Sequence, residues 1–250
     1  VAILTQFIFR LSFGLALGMA LTDPRKVTSG YYRNHLYVLL GLNVLAAMVA
    51  ATSGEQFALA PPIIAAVLSY VGAVLWLYEK PRAGIAALSL LSAVSLWGAF
   101  AATDWQRAAD PLQTVLIAVD PVTSGLLLGL TMAAMFLGHW YLNTPTMAIG
   151  PLERLVVLMG ASVGLRAVTE GITTAVYLNA GIPSTAQLLF IALRWLSGLL
   201  GAIVLVVMTH KTLKIPNTQS ATGILYVCVI ATYLGELTAL LLNLPAARPL

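Results

Sequence analysis

About eight stretches of this chain are each apolar over roughly 18 residues or more, the length a helix needs to cross the hydrocarbon core of a bilayer. They fall near residues 1–22, 35–53, 61–78, 83–102, 120–141, 151–178, 184–209 and 218–243. Only 9% of the residues are charged and 60% are hydrophobic, whereas an ordinary soluble domain carries about 25% charged residues. Too little polar surface exists to cover a water-soluble fold. The expected fold class is therefore all-α: one polytopic transmembrane helical domain over residues 1–250, with no loop beyond about 20 residues and hence no soluble domain.

Proline punctuates the pattern. Pro24, Pro61, Pro62, Pro81, Pro111, Pro121, Pro145, Pro151, Pro183, Pro216, Pro245 and Pro249 all read as lying at or beyond the span edges. Proline inside a helix removes a backbone hydrogen bond and clashes with the preceding turn, so every span is expected to lack a proline kink. Gly18-Met19-Ala20 resembles a small-x-small cleavage site. The segment before Arg10 is apolar rather than basic, however, and the first span reads as a retained helix.

The loops set an expected orientation. Arg25, Lys26, Arg33, Lys80, Arg82, Arg154, Lys211 and Lys214 fall on one side; Arg107 and Arg248 fall on the other, with Glu55, Asp104, Asp110 and Asp120. A basic bias of about eight to two places both termini outside the cytoplasm. The net charge of +4 is accounted for by these loops and does not point to nucleic acid. The one cysteine, Cys228, rules out an intrachain disulfide, a site built from several cysteines and paired-thiol redox chemistry.

Five charges sit inside apolar spans: Arg10, Arg166, Glu170, Arg194 and Glu236. An ionised group at the bilayer centre costs about 2.5–3.5 kcal/mol on insertion scales, so such groups normally face a bundle interior. Helical spacing aligns Ser162, Arg166, Thr169, Glu170, Thr173 and Tyr177 on the sixth span. It likewise aligns Gln187, Arg194, Ser197, Gly198 and Gly201 on the seventh, and Thr222, Tyr226, Tyr233, Glu236 and Asn243 on the eighth. On the first, Gln6 and Arg10 share a face with the Gly14/Gly18 pair, a spacing that lets backbones approach closely. Spans two to five show no such stripe. At 1.5 Å per residue the five charges lie about 10–18 Å from the same ends of their helices, in one layer. Arg10, Arg166, Glu170, Arg194, Glu236 and Tyr233 are the expected buried polar network. A purely structural role competes with a functional one, because arginine can snorkel and buried ion pairs can serve helix register alone.

His35, His139 and His210 all fall near the cytoplasmic ends of their spans. Imidazole is the usual haem b ligand and a common metal ligand, so His139 above all, then His35 and His210, are candidate haem or metal ligands. None shares the i, i+3 or i, i+4 spacing of a helical metal site, and interfacial anchoring is the preferred reading. Zinc-protease, P-loop and nucleophile-elbow motifs are absent, and no 20–50-residue repeat is visible.

The sequence thus suggests a non-catalytic integral membrane subunit of an electron-transfer or energy-converting complex, with a bacterial inner membrane as its expected setting. Its charged layer would line a quinone or proton site or meet another subunit. Quinone and haem b are the cofactors these residues suggest, and membrane lipids and redox subunits the partners. An eight-helix count is shared with membrane anchors of some quinone-linked oxidoreductases, an analogy at the level of fold. The alternative is a small-molecule or ion transporter or channel, disfavoured by the expected lack of broken helices and repeats. An intramembrane enzyme has least support, since no nucleophile–base pair is present.

Overall fold

The computed structural model describes residues 2–52, 59–144, 146–181, 183–215 and 217–243. Glu55, Arg248, Pro145, Pro216, Pro245 and Pro249 fall outside them. The elements in chain order are α1 (Ala2–Ala20), α2 (Ser29–Ala51), α3 (Ala60–Leu77), α4 (Pro81–Ala101), α5 (Pro111–Asn143), α6 (Gly150–Ala180), α7 (Thr185–Leu193), a π-helical segment (Arg194–Gly201), α8 (Ala202–Lys214) and α9 (Thr218–Leu242). A short 3₁₀ turn, Trp105–Arg107, precedes α5. No strand occurs among the described residues. α7, the π segment and α8 run on as one span, so eight helical spans are long and apolar enough to cross a membrane. These spans point to an integral membrane protein.

Local chemistry fixes the helix starts. Proline stands in the first turn of α3, α4, α5 and α6, where its missing N–H has no intrahelical acceptor anyway. Asp110 caps α5 by accepting from the Gln113 amide at 2.8 Å. Ser184 and Gln187 form a reciprocal capping box on α7, so Gln187 also fixes the helix start. Asn217 caps α9, its side-chain oxygen accepting from the Ser220 amide at 2.9 Å.

Two features depart from the sequence expectation, and both matter for the site. α5 begins nine residues earlier than its apolar core suggests, at Pro111 rather than near 120, which puts Pro121 inside the helix. One span therefore does contain a proline. Pro121 has no N–H to offer the carbonyl of Ile117, one turn back. The seventh span is not uniformly α-helical, because its middle eight residues are π-helical. Such segments are rare and concentrate at functional sites.

Close backbone crossings hold the bundle. In lipid there is no hydrophobic drive between apolar helices, so small residues that let backbones meet carry much of the packing. α1 crosses α5 at Gly14, Gly125 and Gly129: a Cβ on Gly14 would lie 1.8 Å from the Gly125 carbonyl oxygen, and one on Gly129 would lie 2.0 Å from the Gly14 carbonyl carbon. The π segment crosses α9 at Gly198 and Gly235, where an added Cβ on Gly235 would come within 2.4 Å of the Gly198 Cα. The similarly spaced Gly160 and Gly164 of α6 form no such crossing, since Gly164 faces open space. On the other flank α2 and α3 pack together, with Tyr32 stacked on Trp76 at 3.8 Å. The Tyr32 hydroxyl donates to the Thr22 carbonyl at 3.0 Å, which ties α2 to the end of α1.

We predict that Gly129→Val destabilises the bundle, lowering its unfolding free energy in detergent by at least the ~1–3 kcal/mol typical of overpacking. Gly164→Val should leave that free energy within about 0.5 kcal/mol of the parent. Equal effects in urea titrations of the two purified variants would contradict the crossing.

Candidate functional site

The five helical charges converge, and a sixth joins them. Arg166 on α6 is the centre and has no exposed surface. Its Nε donates to Glu236 Oε1 at 2.9 Å and its Nη2 to Glu236 Oε2 at 2.8 Å, a two-pronged contact between α6 and α9. Such paired, charge-assisted bonds are the strong ones. Its Nη1 donates to Asp120 Oδ1 at 2.7 Å and to Thr123 Oγ1 at 3.1 Å, both on α5, and lies 3.0 Å from Glu170 Oε1. Ser124 on α5 adds a 2.6 Å hydrogen bond to Glu236 Oε2.

Asp120 reaches further. Its second oxygen pairs with Arg10 Nη2 at 2.7 Å, so this one carboxylate joins α1 to α6 through α5. Arg10 Nε donates to Gln6 Oε1 at 3.2 Å, and Gln6 in turn donates to the Ala99 carbonyl at the end of α4. On the opposite flank Glu170 Oε1 is shared with Arg194 Nη2, at the first residue of the π segment. Three guanidinium groups thus meet three carboxylates across α1, α5, α6, the π segment and α9. The formal charges cancel.

Asp120 was expected in a loop with the acids of the opposite side; it belongs to α5 and to the network. With it, α5 supplies the polar face that spans two to five were expected to lack. Two signals in the sequence pointed there: three buried arginines had only two glutamates to balance them, and residues 112–119 are largely apolar, enough to prolong the helix. Tyr233 departs in the other direction. Its hydroxyl is buried with no hydrogen-bond partner among the described residues, and its ring stands edge-on to Phe7 at 5.1 Å, so it does not join the ion pairs.

A cavity of about 350 Å³ adjoins the network at the end of the bundle where α1 begins and α9 ends. Thr103, Gln113, Gly181, Pro183 and Asn243 line it near the loops, and Asp120, Glu170 and Arg194 line it at the charge layer. Leu116, Ile117, Val176, Ile191 and Leu242 supply apolar wall. Ile117 is the residue whose carbonyl loses its usual helical donor at Pro121. Three lining residues have buried polar atoms without a partner among the described residues: Glu170 Oε2, Arg194 Nε and the Tyr177 hydroxyl. Buried polar atoms are ordinarily paired. One acceptor, one donor and one hydroxyl able to do either therefore gather beside one space.

The histidines divide. His35 and His139 line a second cavity, at the far end of the bundle. His210 lies exposed on α8, apart from both. No group of three or more His, Cys, Asp or Glu arranged to hold a metal occurs among the described residues. No family model, curated protein or solved structure matches this chain.

Truncating Arg166 leaves the buried Glu236 without a guanidinium partner and removes one of the two arginines that hold each of Asp120 and Glu170. Removing one member of a buried pair typically costs about 3–5 kcal/mol, so Arg166→Ala should lose about that much stability in detergent unfolding. Lys80→Ala, at an exposed helix start, should change it by less than about 0.5 kcal/mol. Equal losses would show that the network does not hold the fold.

Proposed function

We propose that this chain is a non-catalytic membrane component that binds a small amphipathic molecule of the quinone class over the arginine–carboxylate layer, within an electron-transfer or energy-converting complex. One observation carries the reading: Glu170 Oε2, Arg194 Nε and the Tyr177 hydroxyl stand unpartnered beside a cavity whose remaining wall is largely apolar. The chemistry of that set is selective. With Arg194 and Glu170 already neutralising each other, a net ion gains little, whereas a neutral ring bearing carbonyl or hydroxyl groups can accept from Arg194 and Tyr177 and donate to Glu170. Apolar lining with a few convergent polar groups is the usual make-up of a small-molecule site.

The basic-loop bias of about eight to two supports placing this end of the bundle away from the cytoplasm. The span Thr185–Lys214 is 22% buried, the lowest share of the eight, which leaves its flank available to lipid or a neighbouring subunit.

A second reading, transport of a small solute, gains support from two helix irregularities beside the network, Pro121 in α5 and the π segment that starts at Arg194. Transporters build sites at interrupted helices. The absence of a proline within any span, which counted against this reading, no longer does.

Trp195 reports on the site, because its indole Nε1 donates at 3.3 Å to Thr174, a lining residue. Titrating the detergent-purified chain with decylubiquinone should quench tryptophan fluorescence saturably. Tyr177→Phe should weaken binding about fivefold, the equivalent of one hydrogen bond worth about 1 kcal/mol. No saturable quenching by this quinone or by a short-chain menaquinone would overturn the quinone reading; a response to small polar solutes alone would favour transport.

A further inference from the structure

At the opposite end of the bundle, His35 on α2 and His139 on α5 line a cavity of about 450 Å³ together with Asn34, Asn143, Trp140 and Tyr226. His35 is held in one orientation. Its Nδ1 lies 2.6 Å from the Tyr31 carbonyl oxygen, which can only accept, so Nδ1 carries the proton and Nε2 keeps its lone pair. The ring stacks on Phe136 at 4.2 Å and meets Tyr31 edge-on at 4.7 Å. Phe136 and His139 are three residues apart on α5, hence neighbours on one helix face.

His139 Nδ1 lies 3.0 Å from the Tyr226 hydroxyl on α9. Both imidazoles are thus anchored through Nδ1, to a carbonyl and to a phenol, and neither Nε2 has a hydrogen-bond partner among the described residues. Metal-binding histidines show this pattern: the non-ligating nitrogen is hydrogen-bonded, which sets the tautomer and aims the ligating one. We propose that His35 and His139 together bind one divalent transition-metal ion of the imidazole-preferring class, zinc or copper(II), through their Nε2 atoms. The cavity lining contains no carboxylate or thiolate. Hard cations such as calcium, which require several oxygen ligands, are poorly served there, whereas nitrogen donors suit zinc and copper. In the bound form the His139 Nδ1–H donates to the Tyr226 oxygen. Water or amide oxygens fill the other positions, which makes the site open and the ion exchangeable. The site is independent of the quinone reading, since it lies at the other end of the bundle.

The test uses the full chain, purified in detergent with an affinity tag free of histidine and stripped with a chelator. Zinc titration by calorimetry should show one site per chain, and copper(II) paramagnetic resonance should show coupling to two imidazole nitrogens. His139→Ala and His35→Gln should each weaken binding at least about tenfold, and Tyr226→Phe about tenfold, as loss of an outer partner does. His210→Ala should leave binding unchanged. His139 is exposed, so its alanine variant tests the site without emptying the core, and the unfolding midpoint confirms that each variant is folded. Binding that survives the His35/His139 double variant, coupling to a single nitrogen, or no zinc binding at all would overturn the proposal.

Discussion

A guanidinium group buried where neither water nor headgroups reach it must find its compensation in the protein, and Arg166 finds it on three helices. Its donors reach Glu236 on α9, Asp120 on α5 and Glu170 one turn along α6. An isolated charge in a low-dielectric interior costs far more than any single hydrogen bond returns, so the buried Glu170 and Glu236 need the arginines as much as Arg166 needs them. The layer therefore stands or falls as a unit. Asp120 extends it to α1 through Arg10, and Glu170 extends it to the π segment through Arg194.

The glycine crossings and the charge layer depend on each other. Arg10 lies one turn before Gly14, and Asp120 lies just ahead of Gly125 and Gly129, so the tight α1–α5 approach brings that pair within 2.7 Å. On the other side, Gly235 precedes Glu236 and Gly198 follows Arg194 by one turn, so the α9 crossing delivers both residues to the layer. Packing sets the distances between backbones, and electrostatics selects the register at which those backbones stop. The cavity beside the layer follows from the same geometry, since its charged wall is what the ion pairs leave exposed.

Much of this was legible in the sequence because bilayer length and helical period are strong constraints. The apolar runs marked the spans, and the three-four spacing of Arg166 and Glu170 put both on one face. Asp120 was not legible by the same rule. An acid followed by proline reads as a helix boundary, yet α5 continues through it; the imbalance of three arginines against two glutamates and the apolar stretch 112–119 were the signals of a missing partner. Tyr233 failed for the converse reason: its spacing fits the polar face, but helical period fixes direction and not reach, and Phe7 occupies its surroundings. Spacing and depth placed Arg194 in the charge layer, but the π segment that it opens has no compositional signature and is read only from the fold. His35 and His139, 104 positions apart in the chain, come to one cavity through tertiary packing that no local pattern reveals.

The central claim is that Arg166 and Glu236 are energetically coupled within the buried layer. A double-mutant cycle tests it most directly, with Arg166→Gln, Glu236→Gln and the combined variant compared by reversible unfolding in detergent. The structure predicts a coupling energy of at least about 2 kcal/mol, within the range for contacting residues in one ionic network. Additivity within about 0.5 kcal/mol, as for distant and independent sites, would contradict it.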